Sequence, residues 1–201
     1  MNKQSIWKQT SQCIFFFFLA SFFGFCWEVI LLFIKEGSLY KRGFLYGPWL
    51  PVYGVGAVLI YLTLKNQRHR PIRVFILSSL IGGGTELVIG WFLDKVWKLR
   101  YWDYSGTFLN LHGYVCLWSF LGFGIAGMIW VCLFSPFLER FWEKVPRRFK
   151  RLFLTLLLVL FMFDCAAALI LPNEGKGVTF SSHAHSFYLF PYKCLVTCIE
   201  T

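Results

Sequence analysis

Acidic side chains are scarce in this chain. Only 10 of its 201 residues are Asp or Glu, against 20 Lys and Arg, and charged residues of both signs make up 15% of it. Soluble domains carry roughly 25% charge, so an ordinary water-soluble fold is excluded. Polar stretches long enough to form a separate domain are also missing, since the longest internal loop runs from Asp94 to His112. No G-x-x-x-x-G-K-[ST] phosphate loop occurs, which rules out nucleotide hydrolysis by that route. Gly122, Gly124 and Gly127 give G-x-G-x-x-G, but inside an apolar run with no strand before it, so they are expected to pack helices. His183, His185, Cys194 and Cys198 have gaps that fit no standard metal pattern, and no metal or cofactor is expected. The first apolar run lacks a small-x-small cleavage site and reads as a retained anchor rather than a cleaved signal.

What the chain has in abundance is apolar surface, 57% hydrophobic and 21% aromatic residues. Five runs approach the roughly 20 residues needed to span a bilayer: Cys13 to Ile34, Pro48 to Leu64, Val74 to Leu93, Gly113 to Phe134 and Leu152 to Leu171, the second being the shortest. The expected fold is therefore all-α, a polytopic integral membrane protein with about five transmembrane helices. The net charge of +10 falls in the loops between runs rather than along a groove, which argues for lipid and against nucleic acid as partner. Lys and Arg in the N-terminus, second loop and fourth loop number 12, against 8 in the alternate segments. The positive-inside rule then places the N-terminus in the cytoplasm, in a multi-pass protein of the cell membrane, with the tail outside.

Two of the few carboxylates, Glu28 and Glu86, lie inside apolar runs, where such groups are costly and face a protein interior, a partner charge or a water-filled cavity. They occupy matching places. Ser21 and Ser79 lie seven residues before them, Gly24 and Gly82 four before, Arg42 and Arg100 fourteen after, and Tyr46 and Tyr104 four beyond the arginines. This predicts a duplicated helix pair, both copies entering the membrane in the same direction: a four-span unit over 1–134 built from 13–64 and 74–134. Helical spacing puts Ser21, Gly24 and Glu28 on one stripe and Ser79, Gly82 and Glu86 on another, with Gly83 and Gly90 extending the second; such small-residue stripes are helix contact faces. The rise per residue places each glutamate about 9 to 11 Å below the outer boundary.

The functional reading is a polar cavity in the outer half, lined by the two glutamates and binding a cation, a proton or a polar substrate group. The structural reading is that each carboxylate is protonated or paired with arginine and locks the bundle. Asp164 in the last run is a further candidate for the cluster. In the outer loops, Arg42 and Arg100 suit an anionic group or an ion pair across the cavity mouth, and Tyr46, Tyr104 and Asp103 accompany them. Ser135 followed by Pro136 reads as a helix start. It opens an amphipathic basic cytoplasmic segment, 135–151, ended near Pro146, with Phe137, Leu138, Phe141 and Trp142 on one face and Arg147 to Arg151 toward anionic headgroups. A fifth helix over 152–171 and a tail over 172–201 complete the chain.

Several of these residues carry a resemblance: Gly24, Trp27 and Glu28; the run Arg42-Gly43-Phe44-Leu45-Tyr46-Gly47-Pro48 with Pro51, Tyr53 and Gly54; Glu86, Gly90 and Trp91; Trp102-Asp103-Tyr104-Ser105; and Asn110, Leu111, Gly113, Cys116 and Leu117. Over residues 14 to 134 the chain resembles the CmpB-like family of bacterial membrane proteins, described as ABC-transporter type IV permeases. It departs from the family pattern at Tyr114, where arginine is common, and at His112, often asparagine. The resemblance implies a permease-like transport component and, for an ABC type, a separate ATPase subunit, with Ser135 to Arg151 as the candidate dock. A second copy of the chain is another candidate partner. Two alternatives stay open: an intramembrane enzyme acting on a lipid or lipid-linked substrate, with Glu28, Glu86 or Asp103 as general base and the arginines on phosphate, and a non-catalytic scaffold. Enzymatic activity is the less expected of these readings.

Overall fold

A computed structural model describes residues 3–37, 43, 45–100, 102–170 and 179–180. Helix dominates: α1 Lys3–Glu36, α2 Pro51–Leu64, α3 Pro71–Phe92, α4 Leu117–Ile129, α5 Ser135–Lys144 and α6 Arg147–Ile170. A short antiparallel pair, β1 Leu99–Arg100 with β2 Thr179–Phe180, lies outside the helices. Among the described residues, four helical stretches are long and apolar enough to cross a membrane: Gln4–Ile34, Pro71–Val96, Leu117–Lys144 and Arg147–Ile170. α2 is the fifth apolar helix, but its 14 residues reach only about 21 Å, short of the roughly 30 Å hydrocarbon core. The chain is an all-α polytopic membrane protein.

Local chemistry sets the ends. Pro51 and Pro71 sit in the first turns of α2 and α3, where a missing N–H leaves no helical bond unmade. α4 begins at Leu117, later than the apolar run suggests, because Cys116 caps it. The Ser119 amide donates to Cys116 Sγ at 3.4 Å and the Cys116 amide donates to Ser119 Oγ at 3.1 Å, a capping box with sulfur in place of oxygen.

The expected helix start at Ser135 is not a start. α4 runs through a π-helical turn, Trp130–Phe134, directly into α5, and the Ser135 amide donates back to the Trp130 carbonyl. A proline inside a helix clashes with the preceding turn, and widening that turn to the i→i+5 pattern makes room for Pro136 without breaking the rod. Ser135 Oγ is buried, donates to the Val131 carbonyl at 3.2 Å and accepts from Arg68 at 3.1 Å. α5 is amphipathic, with Phe137, Leu138, Phe141 and Trp142 on one side, and that side is only partly covered. Trp142 is buried and stacks on Phe15 at 4.2 Å, while Phe137 and Phe141 are exposed. Glu143 pairs with Lys8 at 2.6 Å and Glu139 with Arg68, so the acidic side of α5 fastens it to α1 and to the turn between α2 and α3. The basic residues Arg147 to Arg151 form the first turns of α6 rather than a loop.

Packing is pairwise. α1 lies mainly against α2 and α3 mainly against α4, with α2 and α3 joining the pairs. Ile60, Leu64, Val74 and Val131 form the core at the α5 end, beside Phe16, whose ring meets Tyr61 at 4.9 Å and Trp130 at 5.2 Å edge to face. Removing Arg68 there takes a donor from both Glu139 and Ser135. Arg68→Met should cost about 1 to 3 kcal/mol in thermal unfolding, and adding Glu139→Leu should recover most of it, since an apolar pair can replace a partly buried ion pair at little cost.

Candidate functional site

The two small-residue stripes meet matching partners. A Cβ on Gly24 would run into the Tyr53 ring of α2, and one on Gly82 into the Phe123 ring of α4. Gly54 abuts Ser21 and Phe17, and Gly124 abuts Ser79 and Phe75. Phe17, Ser21 and Gly24 precede Phe75, Ser79 and Gly82 by 58 residues, whereas Tyr53 and Gly54 precede Phe123 and Gly124 by 70. The contacts of one helix pair therefore recur in the other, with 12 more residues before the second helix of the second pair. In both pairs the absent side chain of a glycine lets an aromatic ring lie directly on the helix that carries the glutamate.

That close approach determines what each carboxylate touches. Tyr53 Oη donates to Glu28 Oε1 at 2.6 Å. Phe123 occupies the corresponding place in the other pair but has no hydroxyl, and Glu86 Oε1 instead accepts from Tyr104 Oη at 3.1 Å, delivered by the longer loop. The two glutamate–tyrosine pairs lie within electrostatic reach of each other. Glu28, Tyr104 and Glu86 all act electrostatically on the Tyr53 phenol, and Glu28 acts on Glu86. Glu86 is buried, at 8% exposure. Ser119 faces its carboxylate, yet Oε2 makes no hydrogen bond of good geometry. Burial, and then the Glu86 charge, push the Tyr104 phenol well above its ordinary value, so it remains a donor.

The loop that supplies Tyr104 is held by its own polar groups. Its amide donates to the Gly113 carbonyl at 2.9 Å, Trp102 Nε1 donates to the Tyr114 carbonyl at 2.8 Å, and Asn110 bridges the Ser105 and Thr107 carbonyls to the Gly113 amide. Gly113 has φ +74°, and a Cβ there would strike Asp103 and Ser105, so glycine is required on both counts. Arg100 pairs with Asp103 at 3.1 Å, donates to the His112 carbonyl at 2.8 Å and lies 5.0 Å over the Tyr114 ring. Asp103 also accepts from the Ser105 hydroxyl and amide, which, ahead of Arg100, hold its carboxyl below the usual range. These contacts occupy Arg100 and Asp103 in shaping the loop. Tyr114 donates to Asp94 at 2.6 Å, tying the loop to the end of α3.

Asp164 on α6 does something the sequence does not reveal. Its two oxygens accept from successive amides, Tyr46 N at 2.8 Å and Gly47 N at 2.9 Å, so it clasps the segment between α1 and α2. Tyr46 itself is exposed. Asp164→Asn keeps the shape but replaces one acceptor oxygen with a donor. Its expected cost is about 1.5 to 3 kcal/mol in thermal unfolding, with faster proteolysis in residues 43–50, measured by limited digestion. Arg42 lies outside the described residues, as do His183, His185, Cys194 and Cys198. Among the described residues no group of three or more His, Cys, Asp or Glu is placed to hold a metal.

The structure thus brings Glu28, Glu86 and Tyr104 together and adds Tyr53 and Ser119, which sequence spacing did not single out. The aromatic–glycine dipeptides Tyr53-Gly54 and Phe123-Gly124 are the sequence signal for the first, but only at an offset of 70.

In comparisons with known proteins, the family described as "Putative ABC-transporter type IV" matches residues 15–169. The match reaches beyond the four-span unit and includes nearly all of α6, which the motifs alone left outside. No curated protein and no solved structure matches the chain.

Proposed function

Because the chain belongs to this ABC-transporter type IV family, we propose that it is the membrane-embedded, permease-like component of a transport system, and that Glu28, Tyr53, Tyr104 and Glu86 form the polar step in its path. What supports this reading is that one glutamate–tyrosine pair from each helix pair lies within electrostatic reach of the other, among helices that are mostly apolar. Helix pairs that repeat in parallel and share a polar junction provide two bodies that can shift against each other around a fixed site. The chain has no nucleotide-hydrolysis motif, so an ATP-driven cycle requires a separate ATPase. α5 and the start of α6 offer it the cationic cytoplasmic surface, including Arg140, Lys144, Arg147 and Arg148, all exposed. The orientation that goes with this reading has the N-terminus in the cytoplasm of the cell membrane.

Metabolite profiling of a deletion strain tests it. Some small molecule should change its ratio between cell and medium, and wild type should restore that ratio. Glu86→Gln and Glu28→Gln, present in equal amount and equally stable, should restore less than a tenth of the wild-type rate. Full restoration by the double variant would remove the cluster from the path.

A further inference from the structure

The hydrogen bonds around Glu86 leave one place unfilled. Oε1 is satisfied by Tyr104, but Oε2 is buried without a donor. The groups that act on this carboxyl come from every element around it: Ser119 from α4, Tyr104 from the outer loop, and the like charge of Glu28 from α1, which reaches the cluster through Tyr53 of α2. None of these is a cation. An ionised carboxylate in such surroundings is costly, because burial removes its water and a second carboxylate repels it.

Ser119 shows what completes the arrangement. Its Oγ donates to the Cys116 carbonyl at 3.0 Å and accepts from the Cys116 amide at 3.1 Å. A hydroxyl has one hydrogen and two lone pairs, so its donor is used and one acceptor position remains. A second donor, not a second acceptor, is what the Glu86 side of Ser119 can take.

We propose that Glu86 is a proton-binding site, with the proton on Oε2 donated to Ser119 Oγ and the site read by Tyr104 on the other oxygen. On release, the Oε2–H bond breaks, its electron pair stays on the carboxylate, and the proton passes to a water or a basic group of an entering substrate. The Ser119 hydroxyl then turns from the Cys116 carbonyl to Oε2, so the newly charged oxygen gains a donor. Ser119 is a positioning residue in this scheme and Glu86 the carrier. That the proton moves with a substrate rests on the transport reading above; that Glu86 binds it does not.

Infrared difference spectroscopy of the full chain in lipid nanodiscs, stepped from acid to alkaline pH, tests the site without a known substrate. A protonated carboxyl stretch should be present at neutral pH, absent in Glu86→Gln and retained in Glu28→Gln. In Ser119→Ala the same band should move to higher wavenumber, as an acid O–H that has lost its acceptor does, which keeps the test decisive if Glu86→Gln fails to fold. A neutral-pH spectrum with no such band, or a band untouched by both substitutions, overturns the proposal. A band that behaves as expected while Glu86→Gln transports normally sinks the transport role and leaves the proton site standing. Lost transport with no band does the reverse.

Discussion

Valine at Gly24 or Gly82 should cost about 3 kcal/mol or more and in the cell should leave little folded protein. At each position the added Cβ would overlap the base of the Tyr53 or Phe123 side chain, at its Cβ and Cγ, which cannot swing away without opening the pair. Overfilling a packed interior costs about 1 to 3 kcal/mol when neighbours can shift, and more when they cannot. Valine also restricts its own rotamer in a helix. Gly84 and Gly122 are the controls, since nothing lies within 4 Å of a Cβ at either. Alanine there should be neutral or stabilise by up to about 1 kcal/mol through helix propensity. Thermal unfolding of the four purified variants separates the cases; equal melting temperatures would mean that the glycines are not contact points.

Tyr104→Phe should lower transport about tenfold, and Phe123→Tyr should restore it. The first substitution removes the donor to Glu86 Oε1, a bond worth about 0.5 to 1.5 kcal/mol to the neutral acid and about 1.5 to 3 kcal/mol to the carboxylate formed when the proton leaves. The second tests the correspondence between the helix pairs. Phe123 lies on Gly82 as Tyr53 lies on Gly24, and the Tyr53 hydroxyl reaches Glu28 from that position. A hydroxyl on the Phe123 ring should reach Glu86 in the same way, from α4 instead of the loop. Initial rates for the single and double variants decide it. Failure of Phe123→Tyr to rescue a well-folded Tyr104→Phe protein would show that the two pairs are not interchangeable in detail.

Much of this fold can be read from sequence because membrane helices are specified locally. Run length and helical spacing suffice for the apolar spans, and for the faces on which Ser21, Gly24 and Glu28, or Ser79, Gly82 and Glu86, lie. Contacts made at a distance were less legible. The offset of 58 aligns Tyr46 with Tyr104, yet the phenol on Glu28 belongs to Tyr53, because the longer second loop shifts the register of the second helix in each pair to 70. Asp164 looked like a third carboxylate for the cluster, and no local pattern announces that it binds the amides of Tyr46 and Gly47 more than a hundred residues away. Ser135-Pro136 has the form of a helix start, but the π turn before it lets the helix continue. Arg100 invited a role in capturing an anion and Asp103 one as general base, and no local pattern announces that the two pair with each other and with the loop backbone.

The central claim is that the two glutamate–tyrosine pairs work as one site. A double-mutant cycle on Tyr53→Phe and Tyr104→Phe, read in initial transport rates at equal protein level, tests it most directly. Coupled groups show interaction energies of about 0.5 to 3 kcal/mol, so the double variant should be distinctly faster than the product of the two single losses predicts. Losses that multiply, within error, would mean two independent carboxylates and would contradict the account.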